Sequence, residues 1–178
     1  MMFCRDLTIN APVLQSSFQL PVFNEPKHLR PDTASLLSEE IIEFFLSKDI
    51  IVGSELFFVP PFINSNIHAD DVGDIIKFNW IFGGSGSAMQ WWKPKVEKPV
   101  VYTEHKSPTI RYATNEVDLL HSAVIKQPSM VQVGIPHNVK NKAENRWCVS
   151  VIPLFKSTRQ RLTWADGIQL FSDYITQA

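Results

Sequence analysis

Met130-Val131-Gln132-Val133-Gly134-Ile135-Pro136-His137, then the polar turn through Asn138-Val139-Lys140-Asn141, then Arg146-Trp147-Cys148-Val149-Ser150-Val151-Ile152-Pro153 is the stretch whose reading decides the fold. Two runs rich in β-branched and aromatic residues, each stopped by proline, flank a polar connection. That pattern predicts strands joined as a hairpin and argues against a helix. The hairpin sets a histidine at the end of one strand and an arginine at the start of the next, so both can line one cavity.

Outward from this hairpin the chain keeps its β character. Ser54 to Val59 reads as a strand stopped by Pro60-Pro61, and Ile75 to Phe82 as one stopped by Gly83-Gly84-Ser85-Gly86. Ala88 to Trp92 and Val100 to Tyr102 are shorter candidates, while Val117 to Ile125 fits either a helix or a strand. The first thirty residues read as short strands broken by Pro12, Pro21 and Pro26. Residues 31–48 change period: Asp32 or Thr33 caps a helix whose stripe is Leu36, Leu37, Ile41, Phe44 and Phe45. A last helix follows Leu162 to Asp166, with Ile168, Phe171 and Ile175 on one side. The sum is one domain over residues 1–178, mainly β with flanking helices, built as a sandwich or open barrel.

Composition narrows the function classes. The chain has 178 residues and 20.3 kDa, long enough to bury a core without disulfides or structural zinc. Lys plus Arg is 17 against 18 for Asp plus Glu, so no nucleic-acid partner is expected. Cys4 and Cys148 are expected as free thiols in a reducing compartment. The start Met1-Met2-Phe3-Cys4-Arg5-Asp6 lacks a signal-peptide pattern. No apolar run approaches the ~20 residues that span a bilayer. The expectation is a soluble, cytoplasmic protein with no membrane partner.

Three residues carry the sharpest chemistry. In Ile67-His68-Ala69-Asp70 an extended backbone points His68 and Asp70 the same way, so imidazole and carboxylate converge as two ligands of one metal. His-x-Asp alone also occurs as a polar pair in a surface turn. A third ligand would complete a 2-His-1-carboxylate set, and His137, His105 and His121 are the candidates. Arg146 offers a rigid fork for a carboxylate. Gly83 to Ser87 is a turn and not a phosphate loop, because no Lys-Ser/Thr follows it. Trp91 and Trp92 are adjacent, so only one faces the core.

The ordered set, His68-x-Asp70, His137 and then Arg146, resembles the Fe(II)- and 2-oxoglutarate-dependent oxygenases over roughly residues 55–152, with a polar hairpin after His137 like that of prolyl and aspartyl/asparaginyl hydroxylases. The resemblance implies a double-stranded β-helix, or jelly roll. It implies that His68, Asp70 and His137 hold Fe(II), and that Arg146 pairs the far carboxylate of 2-oxoglutarate. On the same resemblance, Asn79 binds the inner carboxylate. The family often has Ser two residues after the arginine; here that place is Cys148, a poorer donor, and Ser150 is the next residue on the same strand face able to help. The implied reaction is hydroxylation of a small-molecule or peptide substrate with release of succinate and CO2. Two alternatives stand beside it: a jelly-roll metal protein of the cupin kind, and a metal-free binding or assembly module. A jelly roll also predicts the strand before His68 and the strand before His137 on opposite sheets.

Overall fold

The computed structural model describes residues 3–70, 73–103, 106–126 and 128–176. Along them the chain forms β1 (Cys4–Asp6), β2 (Lys27–Leu29), α1 (Thr33–Leu36), α2 (Glu39–Leu46), β3 (Ile50–Val59), β4 (Ile67–Asp70), β5 (Ile76–Gly83) and β6 (Ala88–Pro94). Then come β7 (Val101–Tyr102), β8 (Pro108–Tyr112), β9 (Val117–Ala123), β10 (Ser129–Gln132), β11 (His137–Lys140), β12 (Arg146–Phe155) and α3 (Trp164–Leu170). Two antiparallel sheets of six strands result, ordered β1-β10-β5-β12-β3-β2 and β7-β8-β4-β11-β6-β9. From β3 to β6, and again from β10 to β12, consecutive strands alternate between the sheets. That winding is a jelly roll.

The period of two gives the central strands of the first sheet one apolar face and one that is more polar. Met130, Phe78 and Val151 lie in one cross-strand row, and Trp80, Val149 and Leu56 in another. These outward faces pack under Leu36, Leu37, Ile41, Phe45 and Phe171 to form the main core. The opposite faces carry Ser129, Asn79, Ser150 and Glu55 in a single row. The space between the sheets is therefore polar along its middle, and most of the apolar burial lies outside the roll.

Local chemistry explains the helices. Asp32 caps α1 by accepting from the Ser35 amide at 3.1 Å. Ser38 caps α2 by accepting from the Ile41 amide at 3.1 Å, and its own hydroxyl donates to the Pro12 carbonyl. The single helix expected over residues 31–48 is thus two, because Leu37 is extended between them. Both pieces still deliver the same stripe to the core. Thr163 and Asp166 form a reciprocal cap on α3.

Other expectations need correction. Between β1 and β2 the chain makes no ladder strand, though Leu7, Ile9 and Val13 are buried. Of residues 117–125, expected as helix or strand, Val117–Ala123 form the strand β9. β12 runs through Pro153, which costs no β5 hydrogen bond because that ladder ends at Val151. The strands before His68 and His137 are β3 and β10, and both belong to the first sheet, not to opposite sheets. The two histidines are instead on neighbouring strands of the second sheet, and the expected hairpin is not one: β5 lies between β10 and β12, and the supposed turn is the strand β11, His137–Lys140. Among the described residues no helix is long and apolar enough to cross a membrane.

Phe45 tests this packing. It is fully buried with ring centroids 5.0 Å from Phe78 and 5.7 Å from Phe171. Phe45→Ala should cost about 3–5 kcal/mol in urea unfolding, since the sheet and helices cannot collapse into the void.

Candidate metal centre

His68 and His137 are paired directly across β4 and β11, so both imidazoles leave the same face. Their ring centroids are 4.6 Å apart. Asp70, two residues on from His68, joins them, and the ligand atoms of the three lie within 4.8 Å of one another.

Both rings are held in one tautomer. His68 Nδ1 contacts the Asn66 carbonyl and His137 Nδ1 the Ile135 carbonyl, each at 2.9 Å. An N–H donated there leaves Nε2 with a lone pair aimed at the cluster, the state a metal requires. His68 Nε2 then faces Asp70 Oδ1 at 3.3 Å. Two lone pairs at that distance need a cation between them, and two donors at right angles on one divalent ion stand about 3 Å apart. The residues present therefore fit a divalent metal.

Without a metal, a proton takes that place on His68. Burial opposes the charge on His68, but the hydrogen bond and charge of Asp70 hold its pKa above the usual histidine value. Burial, helped by the nearby His68, pushes His137 down to about 4, so it stays neutral. Burial also works against ionised Asp70, yet Lys77, then His68, keep it well below the usual carboxylate range.

Lys77 extends the cluster. Its Nζ is 2.5 Å from Asp70 Oδ2 and 2.6 Å from Glu55 Oε2. Burial would discharge the amine, but the two carboxylates hold its pKa above normal. Glu55 also accepts from Arg30 at 2.6 and 2.9 Å and meets His28 Nε2 at 3.1 Å. Lys77 occupies the outer oxygen of Asp70 and leaves Oδ1 for a metal. A cavity of about 730 Å³ opens on His68 and Asp70, with Glu55, Phe57, Lys77 and Arg111 among its walls.

The other sequence candidates fall nearby, but none of them lines that cavity. Ser150 donates to Asn79 Oδ1 at 2.7 Å, so each satisfies the other on the inner face. Cys148 shares the strand face with Ser150 and Arg146, and burial pushes its thiol up. Arg146 is buried, donates from Nε to Ser87 Oγ at 3.2 Å, and has no carboxylate partner among the described residues. Its burial lowers the guanidinium pKa. The turn over Gly83 to Ser87 packs on it: Gly84 has φ +62°, and a Cβ there would lie 2.7 Å from the Arg146 side chain. Trp91 points inward and donates to the Gln132 carbonyl, whereas Trp92 points the other way to Asn138. His121 is exposed, tilted against the rings of Trp91 and Phe3, and outside the cluster. His105 lies outside the described residues.

Sequence reading missed the roles of Glu55 and Lys77, although a signal was there. Each is the one charged residue of a largely apolar strand, which calls for a buried partner. Arg30 and Arg111 carried no such signal, because only the strand order brings them to the cavity.

No protein-family model matches the chain, and no curated protein matches it. Solved structures align loosely. Oxalate decarboxylase from Bacillus subtilis is 17% identical with a TM-score of 0.34 over 82% of this chain. This chain spans 30% of the decarboxylase's length. Peruvianin-I, a cysteine peptidase from Thevetia peruviana latex, is 12% identical with a TM-score of 0.41, covering 92% of this chain and 95% of that one. A recombinant oxalate oxidase in complex with glycolate is 10% identical with a TM-score of 0.39, covering 92% and 78%.

The proton on His68 sets a pH dependence. Zn(II) binding should release about one proton below the raised His68 pKa and none from His137, which is already neutral. Affinity should therefore fall about tenfold per pH unit as the solution is acidified through that pKa, and level off above it. Calorimetry in buffers of different ionisation enthalpy measures the release. His68→Ala, Asp70→Ala and His137→Ala should each weaken binding while circular dichroism keeps the β signature.

Proposed function

We propose that the chain is an Fe(II)- and 2-oxoglutarate-dependent oxygenase acting on a small-molecule or peptide substrate. The observation that carries this is the convergence of His68, Asp70 and His137, with each imidazole's Nδ1 turned to a backbone carbonyl and Oδ2 of Asp70 taken by Lys77. This set leaves part of the coordination sphere open, as oxygen activation on Fe(II) requires. Iron bound there would supply the coupling of 2-oxoglutarate decarboxylation to insertion of oxygen into a C–H bond.

The chain's own residues do the positioning. Arg146 opens β12 and buries a guanidinium with no carboxylate partner among the described residues. Such a group is costly unless an anion reaches it, and the far carboxylate of a five-carbon diacid suits its fork. Asn79 and Ser150 lie further along the same interior and are assigned to the cosubstrate's polar contacts. Phe57 lines the cavity and sets its ring 5.5 Å from the Lys77 ammonium.

A second reading is a cupin-like metal protein that uses the same three ligands without 2-oxoglutarate. It is favoured by one observation: Arg146 does not line the cavity that opens on His68 and Asp70.

Arg146 decides between them. Arg146→Ala should weaken 2-oxoglutarate binding by about 2–5 kcal/mol and leave metal affinity nearly unchanged. Arg146→Lys should fall between, keeping the charge without the fork. Cys148→Ser should be neutral or mildly favourable. The measurements are 2-oxoglutarate affinity and succinate formation at matched iron occupancy. Unchanged 2-oxoglutarate affinity in Arg146→Ala would favour the cupin-like protein.

A further inference from the structure

The wall of the cavity across from Lys77 carries a cation that no described group neutralises. Arg111 stands on β8 directly opposite His68 on β4, so the two side chains leave the same face. It is exposed, it lines the cavity, and it has neither an ion pair nor a hydrogen bond among the described residues. The other cations of the cavity are engaged. Lys77 and Arg30 are on Glu55, Lys27 is on Glu25, and Arg161 donates to the Ile76 carbonyl.

The balance around the cavity points the same way. Among the described residues its lining holds five cationic side chains, Lys27, Arg30, Lys77, Arg111 and Arg161, against two carboxylates, Glu55 and Asp70. Both carboxylates already have cationic partners. A divalent metal adds charge of the same sign. A cleft of low dielectric lined by one sign concentrates ligands of the other.

We infer that Arg111 anchors an anionic group of the substrate, a carboxylate or a phosphate, beside the candidate metal. This rests on the oxygenase function proposed above and names its substrate class. The guanidinium fork binds two oxygens of either anion. Opposite residues of an antiparallel pair have Cα atoms about 4.5–5.5 Å apart, so the anchored anion sits one side-chain length from His68. The bond to be oxidised therefore lies only a few atoms from the substrate's charge. Arg111 is a binding residue here; it contacts neither a metal ligand atom nor the residues assigned to the cosubstrate.

The probes are inorganic phosphate and acetate, titrated into the metal-free protein and into the protein loaded with Zn(II) and 2-oxoglutarate. Arginine Nε–H resonances report binding. In wild type the Arg111 signal should shift saturably with at least one probe, and a preference for phosphate or for acetate identifies the anion. Arg111→Met should weaken that binding by roughly tenfold or more, and Arg111→Lys by less. Affinity for 2-oxoglutarate should be the same in wild type and Arg111→Met. No saturable shift in wild type, or equal anion affinity in Arg111→Met, would overturn the inference. Loss of Zn(II) or 2-oxoglutarate binding in wild type, with the anion site intact in metal-free protein, would instead strike the oxygenase function and leave Arg111 as an anion site.

Discussion

Lys77 crosses the gap between the two sheets, with its ammonium 2.6 Å from Glu55 on the first and 2.5 Å from Asp70 on the second. A buried amine keeps its charge only while both carboxylates stay close, and the carboxylates stay ionised only while the amine does. This mutual requirement fixes the spacing of the sheets where the candidate ligands stand. It also fixes the chemistry of Asp70, whose Oδ2 is taken and whose Oδ1 is turned toward His68 Nε2 at 3.3 Å. The His28 and Arg30 contacts to Glu55 brace the far end of the same chain.

A polar interior of this kind needs stability from elsewhere, and the strands provide it by their alternation. The faces that carry Glu55, Lys77, Asn79 and Ser150 into the roll turn Leu56, Phe78, Trp80 and Val149 outward under the helices. Most of the hydrophobic stabilisation is thereby moved to the outer side of the first sheet, where α1, α2 and α3 complete it. The space between the sheets is left for charge, with a smaller apolar cluster around Trp91, Met89 and Val131 closing the other side. The main core and the side chains that brace the candidate ligands use opposite faces of the same first-sheet strands, so changes to one need not disturb the other.

Much of this was legible in the sequence because it depends on local periodicity. The strands at Ile75 to Phe82 and Trp147 to Ile152, the capped helix after Asp32 and the convergence of His68 with Asp70 all follow from spacing within one element. What was hidden depends on which strands become neighbours. Nothing in Pro108 to Tyr112 says that Arg111 will lie opposite His68. The placement of β3 and β10 in one sheet likewise came from the winding of the whole chain. Glu55 and Lys77 are intermediate: their burial could be inferred from apolar flanks, but their pairing with Asp70 could not. The break at Leu37 escaped because both short helices share one apolar stripe.

The central claim is that His68, Asp70 and His137 form one iron site that also takes 2-oxoglutarate. Its most direct test is an anaerobic Fe(II) titration of the whole chain, followed by 2-oxoglutarate, watched for a visible metal-to-ligand charge-transfer band. Binding of one Fe(II) per chain with a band that saturates on adding 2-oxoglutarate, and that is lost in His137→Ala, is the predicted result. Iron binding without any band would contradict the claim for the cosubstrate, and absence of iron binding would contradict it altogether.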